Sequence, residues 1–137
     1  MGDTESTEVL DRIKIMYDEL PDWIKPKATM INAHNLKLEN NSHIKSRPSG
    51  KQSGRGLSGS WLIIDEAAFI EHIDTIWAAV YPIISTGGRA FILSTVNGMG
   101  NWYYDAWNKA EAGANSFNPI QIKWQEHPEY NRVEGDE

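Results

Sequence analysis

Apolar residues recur at three- and four-residue spacing over Val9, Ile13, Met16, Tyr17 and Leu20, which predicts an amphipathic helix. Thr7 stands as its N-cap with Glu8 in the first turn, and Pro21 disfavours helical dihedrals at Leu20 and stops it. The polar residues 1 to 6 are expected to fray. Trp23 and Ile24 form an apolar plug before Pro26. From Ala28 to Ser46 the pattern shortens to extended pieces, Ala28 to Asn32, Leu36 to Glu39 and Ser42 to Ser46, punctuated by Asn35 and by Asn40-Asn41. Asparagine tolerates the left-handed backbone of tight turns, so a small antiparallel excursion is expected.

The next apolar run is Trp61-Leu62-Ile63-Ile64, a short strand expected to be buried on both faces, and it ends in Asp65-Glu66. Ile73, Ile76, Trp77, Val80 and Tyr81 then fall at helical spacing, with Pro82 expected to close the helix within about a turn and Gly87-Gly88 to turn the chain. Ala90-Phe91-Ile92-Leu93 predicts a second buried strand, ending in Ser94-Thr95-Val96-Asn97-Gly98. Tyr103, Ala106, Trp107 and Ala110 mark a further helix with Gly113 as its C-terminal cap. Ile120, Ile122 and Trp124 alternate as a last strand. Strand, helix, strand in that order makes a right-handed crossover, which brings the Ser94 to Asn97 tip beside Asp65 and Glu66 on one carboxyl edge.

That edge is where open α/β sheets bind ligands. An acidic pair there suits phosphoryl-transfer chemistry: the first carboxylate holds magnesium and its waters, the second polarises an attacking water. Equally, a strand that ends in two acids can be re-entering solvent or capping the next helix. Residues 47–60 combine four glycines, four serines and three basic residues with no acid, a flexible basic loop feeding into the acidic strand. Lys51 or Arg55 could approach a phosphate there. Gly50-Lys51 does not begin a Walker A loop: G-x-x-x-x-G-K-[ST] is absent and Gln52 stands where Ser or Thr would bind magnesium. His34, His43, His72 and His127 lack partners at ligand spacing and read as structural or solvated.

Composition narrows the classes. At 137 residues with 40% apolar side chains the chain suits one modest domain. A net charge of −6 gives no basic footprint in bulk, and the lack of cysteine removes disulfide frameworks and thiolate metal sites. No apolar run approaches membrane-spanning length, and no secretory leader pattern is present.

Taken together, Val9-Leu10-Asp11-Arg12 with Leu20-Pro21-Asp22-Trp23, Leu38-Glu39-Asn40 with Ser42, Arg55-Gly56, Ile63-Ile64-Asp65-Glu66-Ala67-Ala68-Phe69-Ile70, and Ser94-Thr95-Val96-Asn97-Gly98 followed by Trp102-Tyr103-Tyr104-Asp105-Ala106-Trp107 resemble the large terminase subunit of tailed bacteriophages, the DNA-packaging motor ATPase. The resemblance runs from about Val9 to Trp124 and implies a partial RecA-like P-loop NTPase sheet of the additional-strand (ASCE) class, with flanking helices, spanning residues 1–137. It implies that Asp65 is the magnesium-associated Walker B acid and Glu66 the general base. It implies further that Ser94, Thr95, Asn97 and Gly98 form the motif coupling phosphate state to movement, and that Arg55 is an arginine finger reaching a neighbour's nucleotide. Val96 departs from the proline common in that motif. Magnesium and ATP would be the cofactors, and a ring of subunits at the phage portal, in the cytoplasm of the infected host, the setting. Double-stranded DNA would be the motor's substrate, with weak or no DNA binding by this chain alone.

In that family the Walker A segment should lie upstream and a nuclease domain downstream, so the chain is expected to be inactive until a Walker A-bearing segment completes it. Two other classes stay open: an assembly module built on the same fold, and a different Walker-type motor such as a helicase.

Overall fold

The computed structural model describes residues 3–49 and 59–126. The chain divides into two compact units, Met1–Thr95 and Val96–Glu137. Lys51 and Arg55, most of the 47–60 loop, and His127 lie outside the described residues.

The first unit opens with helix α1, Asp3–Asp18. The helix begins four residues before the expected Thr7 cap, so residues 3–6 are helical where fraying was expected. Acidic residues in a first turn favour the positive end of the helix dipole, and Ser6, one turn in, is buried at 4% exposure. Ser6 is also held by its carbonyl, which accepts from Ser46 Oγ at 2.5 Å. At the other end Tyr17 donates its hydroxyl to the Pro26 carbonyl at 2.7 Å, and Lys25 lies 4.9 Å from the Tyr17 ring centroid. These contacts fold the segment after Pro21 back along the helix.

Three antiparallel strands follow as predicted: β1, Ala28–Asn32; β2, Asn35–Leu38; and β3, His43–Lys45, in the order β1-β2-β3. Asn41, with φ 67°, supplies the left-handed turn between β2 and β3. The central strand packs on α1, and Leu36 and Leu10, at 1% and 0% exposure, are the deepest apolar side chains of this part.

A separate two-stranded parallel sheet pairs β4, Trp61–Ile64, with β5, Arg89–Ile92, in the register Trp61↔Arg89 to Ile64↔Ile92. Helix α2, Ile73–Ser85, forms the crossover and packs against both strands, burying Ile73, Ile76, Val80 and Ile83. Pro82 lies in the last turn of this helix, which ends at Ser85, within a turn of the proline as expected. Burial of Ile83 draws the chain one more turn, and the Pro82 carbonyl is served by Thr86, whose N–H and Oγ1 donate at 3.2 and 2.8 Å. The exit into β5 requires Gly88: a Cβ there would stand 2.3 Å from the Ile83 carbonyl oxygen.

The expectation that β4 is buried on both faces is corrected. Ile64 is buried, but Trp61 and Ile63 are 58% and 67% exposed, and Phe91 and Leu93 are about half exposed. Parallel strands are apolar on both sides because crossover helices normally cover both. Here one helix covers one side.

The second unit contains helix α3, Trp102–Glu111, capped at its start by Asn101, whose side chain accepts from the Tyr104 N–H at 2.9 Å. Gly113, with φ 67°, ends it as expected. The predicted strand over Ile120, Ile122 and Trp124 does not form; residues 118–123 are irregular and lead into a single 3₁₀ turn at Trp124–Glu126. Alternation alone cannot make a strand, and among the described residues none pairs with this segment. No helix of the described residues is long and apolar enough to cross a membrane.

Candidate functional site

The apolar run of β4 ends where its ladder with β5 ends. Leu93 extends the pairing by one residue, donating to the Ile64 carbonyl at 2.9 Å, and its own carbonyl accepts the Ala67 N–H at 3.0 Å. Between those two bonds the chain must turn through Asp65 and Glu66. Asp65 supports the turn locally, its Oδ1 accepting the Glu66 N–H at 2.9 Å. Glu66 takes the left-handed conformation, φ 51° and ψ 39°, and opens a 3₁₀ turn at Ala67–Phe69. A non-glycine residue there costs on the order of 1–3 kcal/mol, and such strain clusters where a side chain has to be aimed.

The two strand tips are then stitched together. Ser94 Oγ accepts the Ala68 N–H at 3.1 Å, so the hydroxyl at the end of β5 anchors the turn that carries the acids. Asp65, Glu66 and Ser94 therefore meet on one carboxyl edge, the juxtaposition that the right-handed crossover predicts. Thr95 follows Ser94 and is exposed.

The two carboxylates stand in different surroundings. Asp65 is exposed and has one oxygen engaged by its neighbour's amide. Glu66 is half-buried, and its Oε2 is fully enclosed with no hydrogen-bond donor among the described residues. A buried carboxylate oxygen without a donor is costly, by about 1–3 kcal/mol.

Asn97 and Gly98 belong to the second unit. There the Asn97 carbonyl accepts Asn101 Nδ2 at 2.9 Å, and Gly98 holds φ 67°, so both residues shape the entry to α3. Arg55 lies outside the described residues.

Whether this edge could serve a metal depends on the kind of site. Among the described residues no group of three or more His, Asp or Glu side chains is placed to enclose an ion. That set does not suit a closed protein cage. It does suit magnesium, which keeps several waters and takes one or two carboxylates together with substrate phosphates; Asp65 would be the protein's contribution.

Two features of this edge have no signal in the sequence. Left-handed backbone is read from Gly, Asn or Asp, so Glu66 gave no indication of it. The Ser94 bond to Ala68 depends on strand register, which neither residue encodes alone.

Over 104 residues, 73% of its length, the chain is 30% identical to a protein of Escherichia phage Mu named "Probable terminase, large subunit gp28". It spans 18% of the length of that relative. No family model matches the chain. A region of this protein is thus similar, at a distance, to part of a phage terminase large subunit.

Proposed function

We propose that the chain is one half of the ATP-hydrolysing site of a viral DNA-packaging motor, supplying the water-activating acids and the coupling residues while another segment supplies the nucleotide-binding loop. The single observation that supports this most is the carboxyl edge of β4 and β5. There a left-handed Glu66, whose Oε2 is enclosed without a donor among the described residues, follows Asp65, and Ser94 anchors the turn. The likeness to the phage Mu protein points the same way.

In this reading Glu66 accepts the proton of the attacking water. Asp65 holds the magnesium-associated position through its free carboxylate oxygen. Bound magnesium and ATP would supply the electrophilic phosphoryl group and neutralise its developing charge. Ser94 positions the acid-bearing turn relative to β5, so that motion of the segment beyond Thr95 could be coupled to the site. Thr95, Asn97 and Gly98 make up that segment, and Arg55 would act on a neighbouring subunit in a ring.

The test is magnesium-dependent ATP turnover by the chain alone and by the chain mixed with a Walker A-bearing partner segment, native against Glu66→Gln. The half-site reading expects turnover in the mixture only, lost in the variant. Turnover by the native chain alone contradicts it.

A second reading, an assembly module with no catalysis, is favoured by one observation: the uncovered apolar side of β4 and β5. Under that reading Glu66→Gln leaves complex formation intact and there is no turnover to lose.

A further inference from the structure

Charge in this acidic chain is segregated. Between residues 24 and 49 stand five cations, Lys25, Lys27, Lys37, Lys45 and Arg47, against the single acid Glu39, a net of +4; with −6 overall, the rest of the chain carries −10. Such asymmetry within one chain points to a polyanionic partner for the basic part.

The antiparallel register concentrates part of that charge on one side of the β1-β2-β3 sheet. Directly opposed residues share a face, and Lys37 stands opposite both Met30 and His43, while Asn35 stands opposite both Asn32 and Lys45. Ile31, Leu36 and Ile44 align on the other face, which holds the buried Leu36. The Lys37 face is open: Met30, Asn32, His43 and Lys45 are exposed and Lys37 is half-exposed.

That face is also pre-arranged. His43 Nε2 lies 3.0 Å from Asn35 Oδ1, and Asn35 Nδ2 donates to Asn32 Oδ1 at 3.0 Å, a polar row across all three strands. Among the described residues neither Lys37 nor Lys45 has a carboxylate partner. Glu39 is occupied at the sheet's end, where its Oε1 accepts the Lys27 N–H at 3.0 Å. The uncompensated field reaches the imidazole: local desolvation, then the ammonium groups of Lys45 and Lys37, hold His43 below its ordinary range.

We propose that this face is a contact for the phosphate backbone of double-stranded nucleic acid, with Lys37 and Lys45 as its charged anchors and the Asn35 amide and His43 ring as neutral contacts between them. Backbone contacts to duplexes are made by such Lys and Asn side chains and carry no sequence information. A protein partner would call for the aromatic anchors that this face lacks, since lysine is depleted at protein interfaces. The same lack of aromatic rings removes the stacking platform that single strands use. The inference rests on the motor reading for the kind of polyanion, duplex DNA, but uses neither nucleotide nor Asp65 and Glu66. It departs from the sequence-level expectation of weak or no DNA binding only in assigning the weak binding to a place.

The experiment is fluorescence anisotropy of a labelled mixed-sequence duplex titrated with the purified full chain, at salt concentrations from about 50 to about 200 mM. Each phosphate neutralised adds roughly 0.9 to the log–log salt slope. Lys37→Ala or Lys45→Ala should therefore flatten it by about 0.9, the double variant by about 1.8, and Lys37→Glu with Lys45→Glu should abolish binding. Lys14→Ala on α1, whose ammonium pairs with Asp11, should leave binding unchanged. Circular dichroism of each variant separates loss of contact from loss of fold, and Lys37→Arg with Lys45→Arg should restore the native slope. An unchanged slope in the double alanine variant overturns the proposal. So does capture of polyglutamate or of phosphatidylserine vesicles without duplex binding. Glu66→Gln should bind the duplex as the native chain does, so the two readings of the molecule fail separately.

Discussion

The two sheets of the first unit answer the same physical demand in opposite ways. The antiparallel β1-β2-β3 sheet turns an apolar face with Leu36 at its centre towards α1, and gives its other face Lys37, Asn35, His43 and Lys45. It meets water with polar groups on that face, and on the apolar face Leu36 is buried while Ile31 and Ile44 stay 54% and 38% exposed. The parallel pair β4 and β5 is apolar on both sides and covered on one. Trp61 stacks on Phe91 at 5.3 Å, and Arg89 lies 5.5 Å from the Trp61 ring, so the open side shields itself as far as its own side chains allow. The difference teaches that the first sheet offers water a polar face and the second an apolar one. Right-handed crossovers put α2 on one face, so a helix on the other must come from a unit wound in the opposite direction, and such a reversal creates a ligand crevice at the carboxyl edge. The bare side and the acidic edge therefore lie where the half-site reading places its completing segment.

Substitutions can break that contrast. The largest effect is expected for Leu36→Ala, which empties the core of the antiparallel sheet and should cost about 2–5 kcal/mol in denaturant unfolding. Ile63→Ser, on the open side of the parallel pair, should shift the stability of the lone chain by less than about 0.5 kcal/mol and still weaken complex formation with a completing segment. A cost comparable to Leu36→Ala would mean that the open side is already covered in solution, and the contrast would fall. The smallest effect concerns His43. Since local desolvation, then Lys45 and Lys37, disfavour the imidazolium, proton NMR should find its pKa below that of an ordinary histidine, and replacing both lysines with alanine should raise it part of the way. A folded-state pKa below the unfolded value favours the native state at higher pH, so this contribution to stability fades as pH falls through the histidine range.

Much of this was legible in the sequence because local chemistry decided it. The three short strands, their asparagine turn, the β4-α2-β5 crossover and α3 with its Gly113 stop all follow from periodicity and turn residues. What was not legible depended on tertiary context. The open side of β4 and β5 is one case, because which faces a helix covers is decided by packing and not by the run of apolar residues. Ile120 and Ile122 were read as a strand, but a strand requires a ladder partner. At the candidate site the sequence indicated that Asp65, Glu66 and Ser94 would share an edge. It could not indicate that Glu66 is left-handed with an oxygen lacking any donor, because that follows from how Leu93 and Ser94 fasten the turn. The basic face was hidden in a net charge of −6 and emerged only from the register of β2 and β3.

The most direct measurement of the central claim is the rate of magnesium-dependent ATP hydrolysis in the mixture of this chain with a Walker A-bearing segment, native against Glu66→Gln. A general base is worth on the order of 10²–10⁴ in rate, so the account predicts a fall of at least about 100-fold in the variant with complex formation unchanged. A mixture whose turnover is the same with glutamine at position 66 would contradict it, and would leave β4 and β5 as an assembly surface alone.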